Sequence, residues 1–174
     1  MPKILDQVEN KILEAAKKQI FEEGIIDFSL RTIAKECDIA VSTIYNYFKN
    51  KEKLIETIIF EDWFAALYKM DVGIENASAI EEGFMIICTS IRDFVSKYDN
   101  AWSQFHGSIY SISSRHQLLI DQIKVRIERI LDKFGYVEDK KMSNILAECV
   151  LACSTRVEIS QTEYLYTIHR VFNK

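Results

Sequence analysis

The chain has 174 residues, of which 48% are hydrophobic and 28% charged, and its net charge is −4. This balance suits a soluble globular protein of one ordinary domain or two small ones, and excludes a disordered chain. It also excludes a protein that coats nucleic acid by overall basicity, so any nucleic-acid contact has to come from local placement of charge.

Residues 1–55 hold nine Lys/Arg and nine Asp/Glu, so the acidic excess lies entirely in the remaining 119 residues. Pro2 is the only proline and there are five glycines. With so few breakers, long helices are the expected building material. The uninterrupted apolar runs, such as FMIIC at 84–88, are far too short to span a bilayer. The N-terminal MPKILDQVENKILE carries acids early and lacks an apolar signal core, so a cytoplasmic location is expected. In that compartment Cys37, Cys88, Cys149 and Cys153 are expected as reduced thiols.

In chain order, Leu5, Val8, Ile12, Ala16 and Ile20 recur at three or four, which marks one face of an amphipathic helix over 4–23 that Gly24 can stop. Ser29 can cap a short helix, SLRTIAKEC, and Asp38 follows as a turn residue that tolerates left-handed geometry. A third helix is predicted from about Ala40 to Phe48, with Ile44 and Phe48 one turn apart. Asn50 can cap a long fourth helix.

Beyond it, Ile80, Phe84, Ile87, Ile91, Phe94 and Tyr98 form a clear apolar stripe. A shorter aromatic-rich segment spans 101–110, and Leu119, Ile123, Ile127, Ile130 and Phe134 mark a long helix stopped by Gly135. Residues 139–158 and 162–172 supply the last two helices. No stretch alternates as a strand would, so the fold is expected to be all-α.

Two short helices joined by a tight turn, after a longer one, make the shape that lays a helix in a DNA major groove. In IAVSTIYNYFKNK, residues 39–51, Ile39, Ile44 and Phe48 can hold the helix to its partners. Val41, Ser42 and Thr43 then lie near its exposed start, where hydroxyls suit base edges or phosphates and valine suits a thymine methyl. Lys49 and Lys51 stand where the next helix begins, a place that suits a phosphate.

Residues 12–54 resemble the DNA-binding region of the TetR family of bacterial transcriptional repressors. The resemblance rests on ILEAAKKQIFEEG (12–24) and IAKECDIAVSTIYNYFKNKEKL (33–54). It implies an N-terminal three-helix helix-turn-helix DNA-binding domain, placed at 1–49, and a helical effector-binding and dimerisation domain at 50–174. It implies that Ser29, Arg31 and Thr32 approach the DNA backbone and that Val41, Ser42 and Thr43 face bases. Tyr45 and Tyr47 would reach phosphates on the groove rim, with Lys51 a further phosphate ligand, so that its removal flattens the salt dependence of binding. Two positions depart from the family pattern: Asp38 replaces a turn glycine, and Ala40 replaces the Ser/Thr that would cap the recognition helix.

The same resemblance implies a small-molecule inducer pocket in the second domain, with Trp63, Phe84, Met85, Cys88, Trp102, Phe105, His106 and Tyr110 as candidates for its wall. Taken singly, aromatics at helical spacing more often serve the core. Cys149 and Cys153, four apart on one helical face, suit packing or a dimer contact better than a metal. Leu146, Ala147, Val150, Leu151 and Tyr164 are the expected dimer seam. No nucleotide fingerprint, metalloprotease motif or Ser-His-Asp order is present, so no enzyme, cofactor or metal is expected. The resulting expectation is a homodimeric repressor released from a palindromic duplex operator by an unknown small-molecule inducer. The alternative is a DNA-binding protein of the same fold that answers to a protein partner and has no inducer.

Overall fold

The structure is a computed structural model that describes residues 2–25, 27–98, 112–156 and 160–172; for 2–6 and 112–115 it describes the helix alone. The described residues form helices α1 (Pro2–Glu23), α2 (Leu30–Glu36), α3 (Val41–Tyr47), α4 (Lys51–Asn76), α5 (Ile80–Lys97), α6 (Ile112–Lys133), α7 (Ser143–Thr155) and α8 (Gln161–Phe172). A 3-10 segment, Val137–Met142, precedes α7. No strand occurs among the described residues, as the lack of alternation predicts. The helix expected over 139–158 is thus split, its first part winding as 3-10. The aromatic segment 101–110 lies outside the described residues.

The chain divides into two compact units. The first holds α1, α2, α3, α4 as far as Phe64, and Lys97 with Tyr98; the second holds the rest of α4 and α5 and the helices from α6 onward. The first unit therefore extends past residue 49, because Leu54, Ile55 and Ile58 of α4 are completely buried in it. They join Ile12, Ala16, Ile33 and Ile44, each exposed by 0%, in the apolar core of that unit.

A polar hub lies beside this core. Asp62 of α4 accepts from the Tyr98 hydroxyl at 2.9 Å and pairs with Lys17 at 2.9 Å and Lys97 at 3.6 Å. Burial by itself would raise its pKa, but the hydrogen bonds from Lys17 and Tyr98 and the two lysine charges hold the carboxyl below the usual carboxylate range.

In the second unit Phe84 is fully buried and stacks on Phe172 at 6.0 Å while meeting Tyr164 edge-on at 6.2 Å. The end of α4 is closed by Lys133, whose ammonium donates to the carbonyls of Ile74, Glu75 and Ala77 at 2.9, 2.7 and 2.6 Å. A cation there satisfies carbonyls that a helix terminus leaves without internal partners. α6 ends at Gly135, whose φ of 84° is the left-handed geometry that glycine adopts without a Cβ clash. Tyr136 N–H then donates to Leu131 O and Gly135 N–H to Asp132 O, the paired bonds of a Schellman cap.

Candidate nucleic-acid interface

The turn between α2 and α3 is built the same way, with an aspartate in place of glycine. Asp38 has a φ of 53°, in the left-handed region. Ile39 N–H donates to Ala34 O at 2.9 Å and Asp38 N–H to Lys35 O at 3.3 Å. These bonds close the end of α2 and swing the chain directly into α3. At the other end of α2, Ser29 Oγ accepts from Thr32 N–H at 3.5 Å, as expected of a cap.

Ala40, the residue just before α3, has extended backbone (φ −74°, ψ 148°) and no capping side chain. That backbone is already right for a cap, so Ala40→Ser should supply the missing acceptor. Thermal unfolding is expected to show the variant more stable by about 1 kcal/mol. An unchanged or lower midpoint would show that the start of α3 has no need of a cap.

Ile44 and Phe48 point inward, at 0% and 4% exposure, and hold α3 in place. The helical period then presents Ser42, Tyr45 and Asn46 outward as one exposed stripe, and Lys49, just past the end of α3, is exposed as well. Val41, Thr43 and Tyr47 flank it and are partly exposed. Tyr45, at 53% exposure, is the open tyrosine of the pair, and Tyr47 is the more sheltered. Arg31 and Thr32 of α2 are exposed and Ser29 is partly so. The structure thus brings together nearly all the residues proposed from the sequence and adds Asn46. Asn46 has neither charge nor ring to mark it in the sequence, although its spacing of four from Ser42 places it on the same face.

Lys51 is the correction. Its ammonium does not lie open at the start of α4; it donates to Phe28 O at 2.7 Å and Ile25 O at 3.3 Å and sits 5.3 Å from the centre of the Phe28 ring. A lysine engaged this way braces its own protein, because two of its three N–H donors are taken by main-chain carbonyls.

The ligand-wall candidates separate. Trp63 is buried in the first unit, at 5% exposure. Phe84 and Cys88 are solid core of the second unit, both at 0% exposure, and burial pushes the Cys88 thiol pKa up although Ser154 Oγ lies 3.4 Å from its sulfur. Met85 does border open space, a groove of about 610 Å³ between α4 and α5 that Tyr68, Val72, Gly73, Ile86 and Thr89 also line. Gly73 lets the helices close there, since a Cβ on it would stand 2.8 Å from Ile86 Cγ2. Trp102, Phe105, His106 and Tyr110 lie outside the described residues.

The expected dimer seam also needs correction. Leu146, Ala147, Val150 and Tyr164 are at most 6% exposed within the single chain, so they belong to its own core. Leu151 of the expected seam is partly exposed, and the large apolar side chains that α7 and α8 leave most open are Ile145 and Tyr166, each at 65% exposure. Cys149 is exposed and Cys153 buried, and both thiols are free.

Residues 12–58 match the profile of the bacterial regulatory proteins of the tetR family. The HTH-type transcriptional regulator UidR of Escherichia coli K12 is 35% identical over 71 residues, covering 41% of this chain and 36% of UidR. The chain thus spans about a third of that relative. Among solved structures, the TetR-family transcriptional regulator SCO4454 of Streptomyces coelicolor superimposes with a TM-score of 0.58 at 15% identity, over 97% of this chain and 95% of that one. The transcriptional regulator FadR of Bacillus subtilis, in complex with stearoyl-CoA, gives a TM-score of 0.57 at 18% identity, over 91% and 96%. The likeness to these structures shows a shared all-α fold along nearly the whole chain. Through residues 12–58, its helix-turn-helix region, this chain is similar to the bacterial regulatory proteins of the tetR family.

Proposed function

We propose that the chain is a transcriptional repressor that binds a near-palindromic DNA operator as a homodimer and leaves it when a small molecule binds its second unit. The observation that carries the reading is the outward stripe of α3, which is backed by Ile44 and Phe48 and carries Ser42 and Asn46, with Thr43 beside them. Ser42, Thr43 and Asn46 are of the types that read base edges, asparagine pairing with adenine through two bonds, and Val41 suits a thymine methyl. The Tyr45 and Tyr47 hydroxyls and Lys49 serve phosphates, as do Ser29, Arg31 and Thr32 from α2. A two-fold dimer sets two such helices about 34 Å apart along one face of the duplex, hence the palindrome. FadR, bound to stearoyl-CoA, supports a ligand-responsive second unit, and the groove beside Met85 is one opening there. A second reading keeps the DNA-binding head but replaces the inducer with a protein partner; the solid packing of Phe84 and Cys88 favours it.

The test is selection of duplexes from a random library, followed by titration of variants. Asn46→Ala is expected to lose about 1–3 kcal/mol of discrimination at one base position. Tyr47→Phe should weaken binding to all sequences alike, and Lys49→Ala should reduce the salt slope by about 0.9. Wild-type protein that enriches no duplex would overturn the reading.

A further inference from the structure

We propose that Lys51 is a positioning residue of the DNA interface, which it serves by clamping the connection between α1 and α2 and not by touching phosphate. The inference rests on the DNA-binding reading above. Lys51 opens α4, and its ammonium reaches back across the chain to the carbonyls of Ile25 and Phe28. Both residues are anchored in the core, at 3% and 4% exposure. From α1 comes a second hold: the side-chain oxygen of Gln19, itself only 5% exposed, accepts from Ser29 N–H at 3.1 Å, while its amide nitrogen donates to Glu23 at 2.8 Å. Lys51 and Gln19 therefore grip Ile25, Phe28 and Ser29 from two different helices, immediately before α2 begins.

This grip governs the helices on its C-terminal side. Ser29 caps α2, α2 carries Arg31 and Thr32, and the Asp38 turn joins α2 to α3 through fixed main-chain bonds. The placement of α2 thus sets where the α3 stripe lies relative to α1 and α4. A lysine drawn out to a phosphate would abandon two carbonyls in a partly buried place, which is costly for groups that have lost their water. Geometry and energetics both keep it inward.

The full chain is compared with Lys51→Met, which keeps the aliphatic stem without donors, and Lys51→Arg, which keeps the charge and donors. Two readouts are needed: amide hydrogen exchange without DNA, and affinity across a salt series for a duplex that the wild type selects from a random library. Lys51→Met should exchange about tenfold faster through 27–33 and bind about tenfold more weakly. Its salt slope should equal that of the wild type, and Lys51→Arg should restore both properties. A methionine variant with wild-type exchange, or with a slope lower by about 0.9, would make Lys51 an ordinary phosphate ligand and overturn the proposal. Failure of the wild type to enrich any duplex sinks the DNA-binding reading and the functional half of this proposal, whereas the exchange data still decide the clamp itself.

Discussion

Asp62→Ala is expected to cost the first unit about 2–3 kcal/mol at neutral pH, measured by urea or thermal unfolding. The substitution removes a carboxylate that is 13% exposed and that serves groups from two other helices, the Lys17 ammonium of α1 and, at the end of α5, the Tyr98 hydroxyl and Lys97. Tyr98 is itself completely buried, so its hydroxyl depends on partners inside the protein. Deleting the carboxylate costs more than losing an exposed ion pair, because it is the least exposed charge of the network and the buried Tyr98 hydroxyl cannot turn to water instead. The pH dependence comes from the depressed carboxyl pKa. A group whose pKa is lower folded than unfolded contributes stability above its unfolded value, near 3.9, and that contribution is lost as pH falls through the folded value. The gap between wild type and Asp62→Ala should therefore be full at pH 7 and shrink in the acid range below about 4. A gap that is negligible at pH 7, or that does not close in acid, would show that Asp62 is not the centre of this network.

Phe84→Ala should be more damaging, at about 3–5 kcal/mol. The ring is fully buried and in contact with Tyr164 and Phe172, and α8 carries both of those partners. Truncation opens a cavity among rigid rings, and Phe172 is further tied by Tyr136, whose ring lies 4.9 Å from its own and whose hydroxyl donates to its carbonyl. Such a site relaxes little, so the cavity cost is close to full. Calorimetric or denaturant unfolding checks the figure. Unchanged stability together with altered ligand response would instead return Phe84 to the wall of an inducer pocket.

Neither residue's role is legible in the sequence. Phe84 falls on an obvious apolar stripe, and helical spacing alone does not distinguish a ring that packs from one that lines a cavity. Asp62 carries no signal at all, since Lys17, Lys97 and Tyr98 are far from it along the chain and meet it only through the packing of α1, α4 and α5. Lys51 misleads for a related reason: a lysine beside a helix start reads as an anion ligand, but the carbonyls of Ile25 and Phe28 reach it first. Local features are more transparent. Asp38 is legible as left-handed, and the Ser29 cap, the uncapped Ala40 and the stops at Gly24 and Gly135 all occur as the residue types dictate.

By itself the sequence determined the all-helical class, most helix limits, and the inward pair Ile44 and Phe48 that holds α3, because capping, left-handed turns and the 3.6-residue period depend on neighbours a few positions apart. Only the tertiary structure decided which of the two tyrosines stands open, that Lys51 braces the head, and that Phe84, Cys88, Leu146 and Val150 belong to the core. Those properties depend on which distant side chain arrives first at a given atom, and that is settled by how the helices pack.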